Sequence, residues 1–267
     1  MTPLSRTGVD RGLERMPSFE GKVALVTGAA NGIGQAVAGA FASRGASVLL
    51  ADIDVERGEA AAARIVDDGG TASFLRTDVS VSSDVRAMVA AAVDRYGRLD
   101  YAHNNAGIVG GGATVVDMPE ETWNRGIEVM LTGVFLCLKY EIPAILEQGG
   151  GAIVNTSSGA GIIGFPTMAN YVAAKHGVIG LTKTAALEYA TSGLRINAVC
   201  PGTARSKMVE DWIGGDPAHE AEVAALHPIG RIAEAEEIAA AVLWLCSDAA
   251  SFMIGAAVVV DGGYTIQ

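Results

Sequence analysis

The chain has 267 residues, half of them hydrophobic, with a formal net charge of −11 and a sequence pI near 4.8. That length suits one α/β domain with a sizeable core, and the acidic balance excludes a nonspecific nucleic-acid binder, which needs a basic face to neutralise phosphates. Mean hydropathy is +0.32, yet no run approaches the roughly 18 uninterrupted apolar residues of a membrane span, so a soluble protein away from membranes is expected. Residues 1–18 carry Arg6, Arg11 and Arg15 without the apolar stretch of a secretory signal, and are expected to form a flexible arm before a single domain at 19–267. Cys137, Cys200 and Cys246 are far apart and form no C-x-x-C pair, which points to reduced core thiols in the cytoplasm. His103, His176, His219 and His227 lack metal-ligand spacing, and no metal is expected.

In chain order, short apolar runs alternate with Ala-rich segments of helical period. Strands are predicted in KVALVTG (22–28), SVLLADI (47–53), ASFLRTDV (72–79), LDYAHNNAG (99–107), GAIVNTSS (151–158), LRINAVCPG (194–202) and AAVVVDGG (256–263). Helices are predicted at about 33–44, 54–68, 82–96, 119–147, 169–191 and 234–247, with Gly69, Gly97, Gly149 and Gly193 just beyond four of their ends. Near-continuous apolar strands linked through helices have no wet face, so the pattern predicts a Rossmann-type, doubly wound, seven-stranded parallel sheet with helices on both faces.

The first strand runs into TGAANGIG, residues 27–34, which then opens a helix. Gly28 permits a tight turn, Gly32 close approach of a phosphate, and Gly34 close packing of the helix, whose free N–H groups can meet an anion; Asn31 and Ile33 belong to the same loop. Asp52 ends the second strand, where a carboxylate would accept both adenosine ribose hydroxyls and repel a 2′-phosphate. Ile53 and Asn31 stand where an NADP enzyme would place basic residues, so NAD is the expected cofactor. Asp78 and Val79 suit an adenine pocket, although a helix cap near VSSD explains Asp78 equally well. Tyr171 and Lys175, in NYVAAKHG, lie one helical turn apart on one face, which by itself is either a place to tune a proton or a half-buried tyrosine beside a solvated lysine. Residues 203–230 are least regular and read as a substrate flap, with an extra pair of packing helices as the alternative.

Taken together, TGAANGIG, NNAG at 104–107, Ser158 thirteen residues before Tyr171, Y-x-x-x-K at 171–175, PG at 201–202 and DGG at 261–263 resemble the short-chain dehydrogenase/reductase family over residues 19–267. The resemblance implies an oxidoreductase that interconverts a secondary alcohol and a ketone. Tyr171 would be the proton shuttle, its pKa of about 10 lowered by Lys175 and a cationic nicotinamide. Ser158, rather than its neighbour Ser157, would hold the substrate oxygen, and Lys175 would also bind the nicotinamide ribose. Asn105, Ala106 and Gly107 would line the cofactor; Pro201 and Gly202 would turn beneath the nicotinamide, with Ala204 and Ser206 facing its carboxamide.

One position departs from the family pattern. In EVMLTGVFLCLKYEI, Met130 replaces the asparagine that completes the Ser, Tyr, Lys and Asn set and holds a relay water. A thioether cannot take that role, but the backbone carbonyl at 130 remains, and a local helix distortion could free it to hold a water reaching Lys175. Alternative readings are a reductase of a carrier-bound 3-oxoacyl group and a cofactor-binding protein without turnover. The resemblance also suggests a homotetramer, or a dimer, pairing through the helices at 119–147 and 169–191 and through the last strand. The partner is a small-molecule alcohol or ketone.

Overall fold

The computed structural model describes residues 17–266; of the N-terminal arm, residues 1–16 lie outside the described residues. Seven strands form one sheet: β1 (Val23–Thr27), β2 (Ser47–Asp52), β3 (Thr71–Arg76), β4 (Tyr101–Asn104), β5 (Gly151–Thr156), β6 (Leu194–Pro201) and β7 (Ala257–Val260). Their order is β3-β2-β1-β4-β5-β6-β7, and every pairing is parallel. Strand order reverses between β1 and β4, which opens a crevice at the carboxyl ends of the strands.

Helices α1 (Gly32–Ala42), α2 (Val55–Asp67) and α9 (Ala235–Cys246) cover one face of the sheet through Val37, Phe41, Ala61, Ile65, Ile238 and Val242. The other face is covered by α3 (Ser82–Tyr96), α5 (Gly133–Leu146) and α6 (Ala169–Tyr189) through Val85, Met88, Val134, Ile145, Ala174 and Val178. β1 is buried at every position because both of its faces are covered. At its start, Phe19 packs edge-on against Phe41 and Tyr101.

The predicted helix at 119–147 is the one long element that the structure subdivides. α4 (Glu120–Ile127) passes through a π-helical segment, Glu128–Thr132, into α5. The whole run is long and apolar enough to span a bilayer, but 56% of its apolar window is buried inside the protein, so its hydrophobicity serves the core. Residues 203–230 contain two short helices, α7 (Lys207–Ile213) and α8 (Pro217–Ala225), around a small apolar cluster of Ile213, Val223 and Ile232. The cluster is separate from the two layers against the sheet.

A buried polar chain crosses the second layer. Asn104 Nδ2 donates to Glu141 Oε2 at 2.9 Å and to Asn155 Oδ1 at 3.0 Å, and Asn155 Nδ2 donates to Thr182 Oγ1 at 3.0 Å, which links β4, α5, β5 and α6. Burial pushes the Glu141 carboxyl up to about 7, against the hydrogen bond from Asn104. Its folded pKa lies above the ordinary carboxylate value, so the folded state holds the extra proton and stability falls as pH rises through the window from about 4.5 to about 7. Glu141→Gln should therefore be more stable than the parent at pH 8, by on the order of 2 kcal/mol, and nearly equal to it near pH 5. Thermal melts at the two pH values test this; a Tm difference independent of pH would remove Glu141 as its source.

Candidate active site

The crevice, about 410 Å³ in volume, is lined by Gly28, Asn31, Ile33, Asp52, Ile53, Asp78, Val79, Asn105, Ala106, Gly107, Tyr171, Lys175 and Ser206 among others. Thirteen of the predicted site residues thus share one wall. Gly32 lines an adjoining concavity instead, and Ser158, Gly34, Pro201, Gly202 and Ala204 lie off the crevice surface.

Its floor is the turn from β1 into α1. Gly28 has φ +64, and a Cβ there would meet Ala106 Cα at 2.8 Å. Gly34 is tighter: a Cβ would stand 2.1 Å from the Gly28 carbonyl oxygen. The third glycine therefore makes room for the loop itself rather than for the sheet below. Asn31 occupies the N-cap of α1 without bonding its side chain there, and the first turn has no acidic residue. The N–H groups of that turn are left to an anion from the crevice, which fits a dinucleotide pyrophosphate.

At the end of β2, Asp52 accepts from Ala30 N and Asp54 N, each at 3.0 Å. One backbone donor on each oxygen fixes the carboxylate and leaves lone pairs for ribose hydroxyls. Ile53 beside it is exposed. Asp78 is not the cap of α3, whose N-cap is Val81. It accepts from Ser80 N at 2.9 Å and Ser80 Oγ at 2.6 Å and faces Arg125 at 3.6 Å. Burial works to raise its pKa, but the Ser80 bonds and the Arg125 charge outweigh it and hold the carboxyl below its usual range. Arg125, on α4, is a crevice residue for which the sequence carries no motif.

The reacting groups come from β5 and α6. Ser157 is fully buried and donates to the Lys175 carbonyl at 2.8 Å, so it bolts α6 to the sheet. Ser158, next along, is extended (φ −171) and accepts from Ala160 N; its hydroxyl bonds the Tyr171 phenol. This division of labour selects Ser158 for the substrate oxygen. Asn170 fixes the start of α6 by accepting from Tyr171 N at 2.8 Å and Gly111 N at 3.0 Å and donating to Thr122 O at 3.1 Å. Sequence reasoning missed it, although an asparagine opening a helix is a recognisable signal.

Lys175 Nζ lies 5.6 Å from the centre of the Tyr171 ring and donates to the Thr156 carbonyl at 2.8 Å. Burial lowers its pKa to about 8. Burial also raises Tyr171, against the Ser158 bond that lowers it. In the protein alone desolvation dominates and Ser158 is the opposing group; the cationic nicotinamide on which the expected tuning also draws comes with the cofactor.

Met130 sits in the π segment and is fully buried. A Cβ built on Gly107 would lie 3.9 Å from Met130 Cγ and 4.0 Å from Lys175 Nζ, so the thioether and the ammonium border the same small space. The π turn is a helix distortion of the kind expected at position 130. Met130→Asn should raise turnover about two- to tenfold, well below the roughly 10²–10⁴-fold of a directly positioned acid–base group because only the relay is improved, and should shrink a solvent isotope effect on alcohol oxidation. Stopped assays in H₂O and D₂O measure it; an unchanged isotope effect would show that proton exit does not limit the parent.

Beyond β6, Gly202 N donates to Val260 O at 3.1 Å, Ala204 pairs with Ala233, and Ser206 caps α7 by accepting from Val209 N at 3.3 Å. The Ser206 hydroxyl proton stays available to the crevice. His227, buried, accepts from Thr203 N at 3.0 Å through Nε2 and reaches Val223 O at 3.0 Å through Nδ1, which ties α8 to the turn after Gly202.

A family model described as Enoyl-(Acyl carrier protein) reductase matches residues 28–265. The chain is 47% identical over 247 residues to the cyclohexanol dehydrogenase of Acinetobacter sp. (strain SE19), covering 92% of this chain and 96% of that protein. It is 45% identical over 249 residues to the cis-4-hydroxycyclohexanecarboxylate dehydrogenase of Sinomonas cyclohexanicum, covering 93% and 98%. A crystal structure of a short-chain type dehydrogenase/reductase from Mycobacterium marinum superposes with a TM-score of 0.89 at 36% identity, covering 96% of this chain and all of that one. The chain belongs to the short-chain dehydrogenase/reductase family. As a member of that family it is an oxidoreductase that uses a nicotinamide cofactor and interconverts a secondary alcohol and a ketone. The reading of a cofactor binder without turnover is set aside: the departure at Met130 leaves Tyr171 and Lys175 lining the crevice, with Ser158 beside the Tyr171 phenol.

Proposed function

We propose that this short-chain dehydrogenase oxidises a cyclic secondary alcohol with NAD, and reduces the ketone with NADH. The observation that carries the cofactor choice is Asp52, its carboxylate anchored by two backbone N–H groups at the edge of the crevice. Two ribose hydroxyls satisfy it, whereas a 2′-phosphate would meet like charge. The ring alcohol is supported by the substrates named for the two relatives described above. A carrier-bound 3-oxoacyl substrate is the second reading; the description of the family model favours it, and Asp52 opposes it because reductive biosynthesis usually draws on NADPH.

The cofactor supplies the hydride acceptor. Ser158 holds the substrate oxygen, Tyr171 takes the hydroxyl proton as the hydride leaves the carbinol carbon, and Lys175 fixes the ribose and passes the proton onward. In reduction Tyr171 returns that proton to the oxygen. A homotetramer is supported by exposed Phe135 on α5, Leu187 on α6 and Val259 on β7, the elements implicated by the resemblance. Three buried free thiols support a cytoplasmic location.

The test measures kcat/KM with both cofactors on cyclohexanol, 4-hydroxycyclohexanecarboxylate and a 3-oxoacyl thioester. NAD should be preferred at least tenfold, or about 1.4 kcal/mol, with a ring alcohol the best substrate. Equal use of NADP would overturn the role of Asp52, and preference for the thioester would promote the second reading.

A further inference from the structure

From the direction of a buried hydrogen-bond chain, we infer that His103 is a positioning residue of the cofactor site, holding the glycine loop from below through Thr156 and Asn105. The inference rests on the cofactor reading of that loop. His103 is fully buried near the end of β4, on the face of the sheet opposite Asn104.

The chain has only one possible polarity. Asn105 Nδ2 donates to the Gly28 carbonyl at 3.3 Å, a contact only an amide nitrogen can make. Asn105 Oδ1 therefore faces Thr156, whose hydroxyl lies 3.2 Å away and must donate, since an amide oxygen only accepts. That uses the single hydroxyl proton. His103 Nε2, 2.8 Å from Thr156 Oγ1, must then be the donor. Its Nδ1 is left as a bare acceptor with no partner, which is what is found among the described residues.

An orphaned buried nitrogen is costly to keep, and here it accompanies a proton delivered to Thr156. That residue is a hub: its side chain passes the chain to Asn105 and Gly28, and its carbonyl receives Lys175 Nζ at 2.8 Å. His103 touches neither cofactor nor substrate, and it acts through the Thr156 and Asn105 side chains.

Two measurements test the assignment. In ¹⁵N-imidazole NMR of the full chain without cofactor, His103 should be neutral with its proton on Nε2; a proton on Nδ1, or an imidazolium at neutral pH, would overturn the chain. By fluorescence titration, His103→Phe should weaken NADH binding about fivefold, the effect of one hydrogen bond, and raise KM for the cofactor with little change in kcat. His103→Gln, which places an amide N–H near the Nε2 position, should recover most of that loss. Thr156→Val should weaken binding to a similar degree, and adding His103→Phe to it should cost nothing further. Parent-like NADH affinity in Thr156→Val, additive losses in the double variant, or no recovery in His103→Gln would make His103 a packing residue. Absence of NADH binding by the parent would refute the cofactor reading instead, and the NMR result would still decide the polarity of the chain.

Discussion

Tyr171→Phe should lose turnover by a factor of about 10² or more while binding NADH nearly as the parent does. The phenol alone is removed, and the ring keeps its place because α6 is anchored by Asn170 and Ser157 rather than by the hydroxyl. Burial holds Tyr171 above its ordinary pKa in the protein alone, so ionisation depends on the Ser158 bond and on positive charge brought into the crevice. Ser158→Ala should accordingly shift upward the pH at which alcohol oxidation rises, in the direction expected when a bond that lowers the pKa of the base is lost. Lys175→Ala should damage both turnover and NADH binding, since its ammonium stands beside the Tyr171 ring and lines the crevice proposed for the cofactor. Steady-state kinetics with NADH titration separates these outcomes. Near-parent kcat in Tyr171→Phe across the pH range would make Tyr171 a packing residue and end the mechanism.

Gly34→Ala should weaken NADH binding by about two orders of magnitude and lower stability by about 1–3 kcal/mol, the usual cost of overpacking. A methyl group 2.1 Å from the Gly28 oxygen and 2.8 Å from Asn105 Nδ2 cannot be housed without moving the loop that meets the pyrophosphate. Gly39, on the same helix, provides the control: a Cβ there meets nothing within 4 Å. Gly39→Ala should be neutral or stabilising by up to about 1 kcal/mol. Similar behaviour of the two variants would show that helix propensity, not the close approach, governs the loop.

The sheet was legible because a parallel strand covered on both faces must be apolar along its buried length, and the VALV of β1 and the VLLA of β2 are. Helix ends followed from residues such as Gly97, which adopts φ +81 at the close of α3. Motif spacing placed Tyr171 and Lys175 on one face and Asp52 at the crevice. What pattern could not carry was the division of labour between adjacent residues. Ser157 and Ser158 are the same residue type at one strand end; the thirteen-residue spacing to Tyr171 favoured Ser158, but the physical reason, the bond of Ser157 to α6, shows only in the packing. Asp78 was ambiguous for a similar reason: a short turn through Ser80 and an ion pair with Arg125, 47 positions further along, both depend on tertiary placement. His103 and Thr156 read as ordinary strand residues until their hydrogen bonds are followed.

The π segment at Glu128–Thr132 has a further consequence for how the chain tolerates change in length. An α-helix turns about 100° per residue, and a π turn holds one residue more, so α5 is rotated by about that angle relative to an uninterrupted continuation of α4. α4 is clamped through Thr122 to Asn170, and α5 is clamped through Glu141 to Asn104. Both clamps are satisfied only with the extra residue between them. The segment works as a counted spacer whose side chains can vary, as Met130 shows, while its residue number cannot. Deleting one residue from 128–132 would restore regular helix locally and swing Glu141 away from Asn104, turning a different stripe of α5 toward the sheet.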